Sequence, residues 1–393
     1  MGSKKVKTPH LDALSASGVI FDQAYVPAPV CGPSRAGLIT GCRPSEIGAE
    51  HNLRAKLHPK HVGFGVDTSV KFISDHFKSL GYTTGAIGKW HLGFKGQYHP
   101  NQRGFDEFYG LLGGSRSYFP SPSPEKDVKH YKNIEKNGEH VKEDSVTYIT
   151  DDFTNAALAF IERRKNDPFF MYLSYTAAHS PFEAKEEDLK EVSHIKDEKH
   201  RIIAAMVQSM DKNVGRVVAL MKSLGLHENT MYVYLNDNGG IKESDNGKLK
   251  SNKGKLYEGG IKVPMFISYR PKIEPGQRYP HMVSALDLLP TSLAVAGQDS
   301  IEDERVVGKN LLHYLGTEEK PHERLLFKFW SQKAIRKGDY KLYLNGKTKT
   351  HELYNIQKDP YEKSDLLKSH PELAKALQQE LDDWVGQLPE QMW

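Results

Sequence analysis

The sequence predicts an α/β fold. A large mixed, mostly parallel sheet is sandwiched by helices, and a smaller C-terminal α+β subdomain built on an antiparallel sheet follows it. Three observations carry this. Apolar strand-like runs alternate with amphipathic helical stretches through much of residues 8–317. Polar residues collect where those runs end, which is where sheets of this kind bind ligands. From about residue 318 the texture changes to short, closely spaced strand-like segments. The chain therefore divides, on sequence, into residues 1–317 and residues 318–393.

Residues 8–22, opening TPHLDALSASGV, read as a helix with Thr8 as N-cap and Pro9 in its first turn. In PVCGPSRAGLITG, residues 29–41, Pro33 suits an early helical position, Ser34 can cap, and Gly41 suits the residue just past the end. GYTTGAIGKWHLG is a short strand entering a polar loop, and residues 151–164 space their apolar positions as a helix does. PFFMYLSYTAAHSPF is a continuous apolar strand ending in a His-Ser-Pro loop. Residues 200–224 form an amphipathic helix, and TMYVYLNDNGG is a second buried strand that ends in polar residues. LLFKFW, KAIRKG, YKLYLN and THELYN then read as an antiparallel meander closed by the helix HPELAKALQQELDDWVGQL.

Composition excludes several classes. The 393 residues carry a net charge of +4 with basic residues scattered along the chain, which argues against nucleic acid as a partner. No apolar run approaches the ~20 residues of a membrane span, so no membrane partner is expected. Two cysteines, Cys31 and Cys42, make neither a disulfide framework nor a zinc site. A bridge between them is not expected, since a helix separates them. MGSKKVKTPH contains no hydrophobic signal segment, although its Met-Gly-Ser opening also reads as an expression leader.

Cys31 holds the first chemical signal. At a helix N-terminus, backbone N–H groups and the helix dipole favour an anion, and Arg35 adds a permanent charge with fork geometry for oxyanions. Alone, such a cysteine reads equally as a small buried hydrophobe or as a thiolate nucleophile. The pattern Cys31-x-Pro33-Ser34-Arg35 with Thr40-Gly41 downstream is more specific than either. It resembles the signature of the formylglycine-dependent (type I) sulfatases of the alkaline phosphatase superfamily. The resemblance implies that a formylglycine-generating maturation enzyme oxidises Cys31, so that the thiol is a precursor and not itself the nucleophile. GAIGKWHLG looks like a further block of that family, which implies Lys89 on a sulfate oxygen and His91 on the second formylglycine hydroxyl. RGFDEFYG, residues 103–110, is similar to a family landmark without chemistry of its own. His179 in YTAAHSPF reads as structural by itself, and the resemblance makes it a sulfate contact and general acid.

Asp237 and Asn238 in YLNDNGG are adjacent hard oxygen donors suited to Ca²⁺, with Mg²⁺ less suited, although the four residues alone are an ordinary turn. By resemblance, Asp237, Asn238 and position 31 are metal ligands and Asp237 also activates the hydrated aldehyde. Lys253, five residues before Glu258, matches the second sulfate-binding lysine, while Lys248, Lys250 and Lys255 read as solvated surface charge. The likeness runs through ALDLLPT, AIRKGDYKLY and HELYNIQKDPYEKSDL and covers residues 8–385. It implies an alkaline-phosphatase-like core, a sulfuric ester hydrolase activity, and a periplasmic or secreted parent protein.

The chain departs from the family in one respect. Members open with an apolar strand ending in two metal-binding aspartates, whereas only MGSKKVK precedes Thr8. Weakened metal binding and impaired turnover are expected of the chain as written. A sulfated carbohydrate is the expected substrate, because EHNLRAKLHPKHVGF supplies Arg54 and GGSRSYFP supplies Arg116 beside Tyr118 and Phe119. Each of these segments also reads as an ordinary solvated loop. The competing readings are a phosphonate monoester or phosphodiester hydrolase, and a non-catalytic remnant that binds sulfated glycan.

Overall fold

The computed structural model describes residues 6–53, 63–94, 96–121 and 132–391. They fall into two compact units, each assembled from distant parts of the chain. The first comprises Met1–Val19, Ala55–Tyr232 and Ile267–Gln277, and the second Ile20–Arg54, Val233–Phe266 and Arg278–Trp393. The division does not follow the boundary at residue 317, because the C-terminal segment shares its core with residues 20–54 and 233–266.

The first unit holds a five-stranded sheet in the order Glu139–His140, Glu135–Lys136, Glu107–Leu111, Thr83–Lys89, Phe169–Ser174. The last three strands are mutually parallel and the first two form a hairpin. Asn137 and Gly138 both take positive φ between those two strands, the backbone that a tight hairpin turn requires. Gly88 is obligatory for a different reason. Its φ is 107°, and a Cβ there would stand 2.1 Å from the Ser174 carbonyl oxygen. Helices Ile149–Arg164 and Glu198–Ser223 bury Phe153, Phe160, Met206 and Met221 in one core with Ile87 and Leu111 of the sheet. A fully buried side chain of this size contributes about 1.5–3 kcal/mol.

Two expectations are corrected at the N-terminus. The helix starting at Pro9 ends at Ala16, and Val19–Tyr25 is a strand, because Gly18 and the following Val-Ile-Phe favour extended backbone over helix. Thr8 sits at the N-cap position, but its hydroxyl makes no capping bond. The Asp211 carboxylate takes that role from the long helix, accepting the N–H groups of His10 (3.2 Å) and Leu11 (2.8 Å).

Two four-stranded sheets draw most of their residues from the second unit. One runs in the order Tyr232–Leu235, Met265–Ser268, Val19–Tyr25, Gln277–Ser284. The other is the expected antiparallel meander, Arg324–Phe329, Gln332–Lys337, Tyr340–Asn345 and Thr350–Asn355. Its alternation sorts the side chains. Leu326, Ile335 and Leu342 face the closing helix Pro371–Val385 through Leu377 and Leu381. Leu325, Phe327, Ala334 and Tyr343 face Tyr25, Ile261 and Val263 on the other side. The apolar strands Phe169–Ser174 and Tyr232–Leu235 were expected to be buried, but both are largely half-buried. Among the described residues each is the edge strand of its sheet, with no strand beside one flank. No helix among the described residues is long and apolar enough to cross a membrane.

Beneath the meander lies a closed ionic cluster. Lys341 Nζ bonds Glu258 Oε1 and Glu362 Oε1, each at 2.9 Å, with all three side chains buried. Tyr25 donates its hydroxyl to Glu258 Oε2, and the Glu258 N–H donates to Glu362 Oε2.

Candidate active site

Cys31 is the first residue of the helix Cys31–Thr40, which ends at Gly41 with φ 67°. The helix thus begins earlier than Pro33 implies, and Ser34 is a buried interior residue instead of a cap. Several orphan N–H groups always remain at such an end. The Gly32 N–H is met by Asn52 Oδ1 at 2.7 Å, a residue that no sequence pattern singled out.

Three loops of the second unit are stitched together around this terminus. The Gly254 N–H donates to the Pro29 carbonyl, the Lys253 N–H to Gly240, and the Gly259 N–H to Lys250. Gly239 donates to Gly260. The closure brings Lys253 Nζ to 3.1 Å from Cys31 Sγ. One turn along the helix, Arg35 Nε donates to Asp237 Oδ2 at 2.8 Å, with Arg35 nearly buried and Asp237 about a quarter exposed. Cys31, Arg35, Asp237 and Lys253 are thereby drawn together from positions up to 222 residues apart.

Lys250 departs from its sequence reading as a solvated charge. Its ammonium lies over the rings of Tyr257 and Tyr354, at 4.4 and 4.8 Å, and bonds the Tyr354 hydroxyl and Glu352. It anchors the loop that carries Lys253. Cys42 is a buried thiol pushed up to about 12 mainly by burial, and no disulfide joins it to Cys31.

In the first unit Lys89 ends the central parallel strand, and Trp90 and His91 continue onto Leu111 and Leu112 through backbone bonds. Both Lys89 and His91 are buried. His91 takes φ 64°, and a Cβ on Gly114 would press within 2.8 Å of its ring. His179 lies in the loop after the neighbouring strand Phe169–Ser174. Its backbone N–H donates to the Tyr118 hydroxyl at 3.1 Å, and Nδ1 pairs with the Ser180 carbonyl at 2.8 Å. A carbonyl only accepts, so Nδ1 carries a proton and Nε2 is the nitrogen left for chemistry. Lys89, His91 and His179 therefore all belong to the C-terminal end of one parallel sheet. Tyr118, unnoticed as a partner of His179 on sequence, accepts its backbone N–H.

The sulfatase family pattern matches residues 1–298, and a pattern described as N-sulphoglucosamine sulphohydrolase, C-terminal, matches residues 251–388. The chain belongs to the sulfatase family. Among its curated relatives, the uncharacterized sulfatase YdeN of Escherichia coli is 31% identical over 81% of this chain and 59% of its own length. The N-acetylgalactosamine-6-sulfatase of Mus musculus is 29% identical over 87% of this chain and 68% of its own length. The chain spans about six-tenths of the length of several such relatives. The crystal structure of Ps i-CgsB in complex with k-i-k-neocarrahexaose superposes with a TM-score of 0.93 at 37% identity, covering 100% of this chain and 90% of that one. The phosphonate monoester hydrolase of Agrobacterium radiobacter shares the fold, with a TM-score of 0.70 at 16% identity and coverage of 98% of this chain and 91% of that one.

Membership of the sulfatase family implies a divalent cation, which needs oxygen donors. Asn238 Oδ1 is buried without a hydrogen-bond donor, beside the Asp237 carboxylate, and both are oxygen donors of the hard kind Ca²⁺ takes. Ca²⁺ needs six or more oxygens, and no cluster of three or more His, Cys, Asp or Glu suited to a metal occurs among the described residues. The described residues therefore do not complete a Ca²⁺ site. Of the two arginines expected at the substrate, Arg54 lies outside the described residues. Arg116 is buried and spends its fork on Glu143, at 2.9 and 2.7 Å. Arg103 of the family landmark is also structural, donating to the carbonyls of Val66, Asp67 and Val70 over the Phe72 ring.

Proposed function

We propose that the protein is a sulfuric ester hydrolase that removes sulfate from a sulfated carbohydrate, with Cys31 matured to formylglycine. The contact that carries this reading is Lys253 Nζ on Cys31 Sγ, one helical turn from Arg35 held by Asp237. A thiol that ends facing an ammonium at a helix N-terminus marks a place where negative charge collects. The carbohydrate part is supported by the complex of Ps i-CgsB with a neocarrahexaose, matched along the whole chain, and by the sulphohydrolase pattern over residues 251–388.

The roles follow from the chemistry of each group. A formylglycine hydrate offers two hydroxyls, one to attack sulfur and one to expel sulfate as the carbonyl re-forms. The three non-bridging sulfate oxygens gain charge as the ester bond breaks. Lys253 and Arg35 sit ready to receive it without reorganising, the kind of term that dominates such reactions. Asp237 orients Arg35 and, by the family resemblance, takes the proton of the attacking hydroxyl. Lys89 and His91 are assigned to sulfate and to its release by the same resemblance. His179, with its Nδ1 proton committed to Ser180, would act as the acid as imidazolium, passing a second proton held at Nε2 to the leaving sugar oxygen.

The test is co-expression with a formylglycine-generating enzyme, followed by the mass of the peptide holding residue 31 and assay of sulfate release. A loss of about 18 Da on conversion of CH₂SH to CHO, with free sulfate from carrageenan oligosaccharides, is expected. An aldehyde-bearing protein that cleaves aryl phosphonates but no sulfate ester would replace this reading with the phosphonate hydrolase one.

A further inference from the structure

Among the described residues Trp330 is the most exposed of the large hydrophobic side chains, at 61%, and it is held firmly in that position. It sits in the two-residue turn between the strands Arg324–Phe329 and Gln332–Lys337, with φ 54°. The buried Glu50 carboxylate accepts its backbone N–H at 2.7 Å and pairs with Lys328 two residues before it. The His51 ring packs on one side of the indole, 4.4 Å between centroids. The other side is left to solvent.

Two further features give that face a chemistry. The neighbouring hairpin, Asn345–Thr350, is tied to the same turn by the Gly346 N–H on the Ser331 carbonyl, and it presents Lys347 and Lys349 exposed. The residue after His51 is Asn52, whose side chain holds the Gly32 N–H at the mouth of the nucleophile helix. A rigid indole, two cations and the helix N-terminus are thus linked through residues 50–52 within the second unit.

We propose that Trp330, backed by His51 and flanked by Lys347 and Lys349, is a subsite for a sugar ring of a sulfated oligosaccharide beyond the ring that is desulfated. This rests on the carbohydrate sulfatase reading and specifies how a polymer is held. One face of a pyranose is lined by C–H bonds and packs flat on an aromatic ring, while its sulfates project away from that face toward ammonium groups. A protein partner is the poorer fit, because a lone indole between charged loops is far smaller than the apolar patch of several hundred Å² that marks a protein contact.

Calorimetric titration of the matured protein with a sulfated carrageenan hexasaccharide, its desulfated counterpart, and galactose 4-sulfate tests this. Trp330→Ala should weaken the sulfated hexasaccharide about tenfold and the single sugar less than twofold, while Trp330→Phe keeps most of the affinity. The Lys347→Ala, Lys349→Ala double variant should weaken the sulfated hexasaccharide and leave the desulfated one unchanged. Equal weakening of hexasaccharide and single sugar by Trp330→Ala would overturn the subsite, as would no change at all. Dissociation of a dimer by Trp330→Ala would instead make this face a protein contact. If the unaltered protein binds the single sugar and not the hexasaccharide, the subsite falls while the sulfatase reading stands. If it binds neither and releases no sulfate, both fall.

Discussion

Two lysines of the second unit, Lys253 and Lys341, stand in opposite surroundings. Lys341 is fully buried against Glu258 and Glu362, and Tyr25 and the Glu258 N–H bind the remaining carboxylate oxygens. Lys253 is half-buried and points at a thiol, next to an arginine-bound carboxylate that water still reaches. The first cluster is closed upon itself and can only hold structure. The second leaves positive charge without an equal weight of carboxylate, which is what an anionic substrate requires. The two are joined by a short loop, since Glu258 lies five residues beyond Lys253 and Lys250 is caged between them and the meander. Rigidity built at one end therefore aims the ammonium at the other.

The contrast is sharpest in what each lysine should cost when removed. Lys341→Met strands two carboxylates in the core, and a loss of about 3–5 kcal/mol in unfolding free energy is expected by denaturant titration. A midpoint unchanged from the parent would show that the cluster is not closed. Lys253→Ala should leave that midpoint within about 0.5 kcal/mol while lowering kcat by about 10²–10³-fold on an aryl sulfate. Loss of stability in place of turnover would erase the distinction between the two lysines.

The smallest effect concerns pH. Burial raises Glu258, but the Lys341 charge outweighs it and holds this carboxyl below its usual range. Burial likewise works against the charge of Lys341, yet its two carboxylates hold it above the usual lysine range. Glu362 goes the other way, raised by burial and by the charge of Glu258 against the pull of Lys341. A raised carboxyl binds more protons folded than unfolded, so its contribution is full below the usual carboxylate range and is lost as pH rises through its folded value. Glu258 contributes above the usual range and loses that contribution as pH falls through its lowered value, and Lys341 does so only as pH rises past its raised one. Glu362→Gln should therefore flatten the decline in stability as pH rises above the usual carboxylate range, read from unfolding midpoints taken on either side of it. A decline as steep as the parent's would place the titrating group elsewhere.

Much of this was legible beforehand. The alternation of helix and strand, the meander of LLFKFW to THELYN, and the cysteine signature all report local or short-range constraints, and such patterns survive in a linear reading. Long-range partners did not. Asp211 caps a helix from two hundred residues away, Asn52 meets Gly32, and Tyr118 holds His179. None of these sits at a recognisable spacing, because each bond depends on where two distant elements pack. Arg116 shows the same limit in reverse, since a cation beside aromatic residues reads as available in the sequence while Glu143 occupies its fork in the fold.

Residue type and order alone decided which groups this protein owns: a cysteine at a helix mouth, a permanent cation four residues on, histidines and a carboxylate at strand ends. Folding decided which of them are spent on structure and which remain for a ligand. Lys250 went into a tyrosine cage, Lys341 into the core, and Lys253 to the thiol. The reason is physical. A lysine's chemistry is the same everywhere in the chain, whereas the desolvation and the partners that set its role exist only once loops far apart in sequence have closed around it.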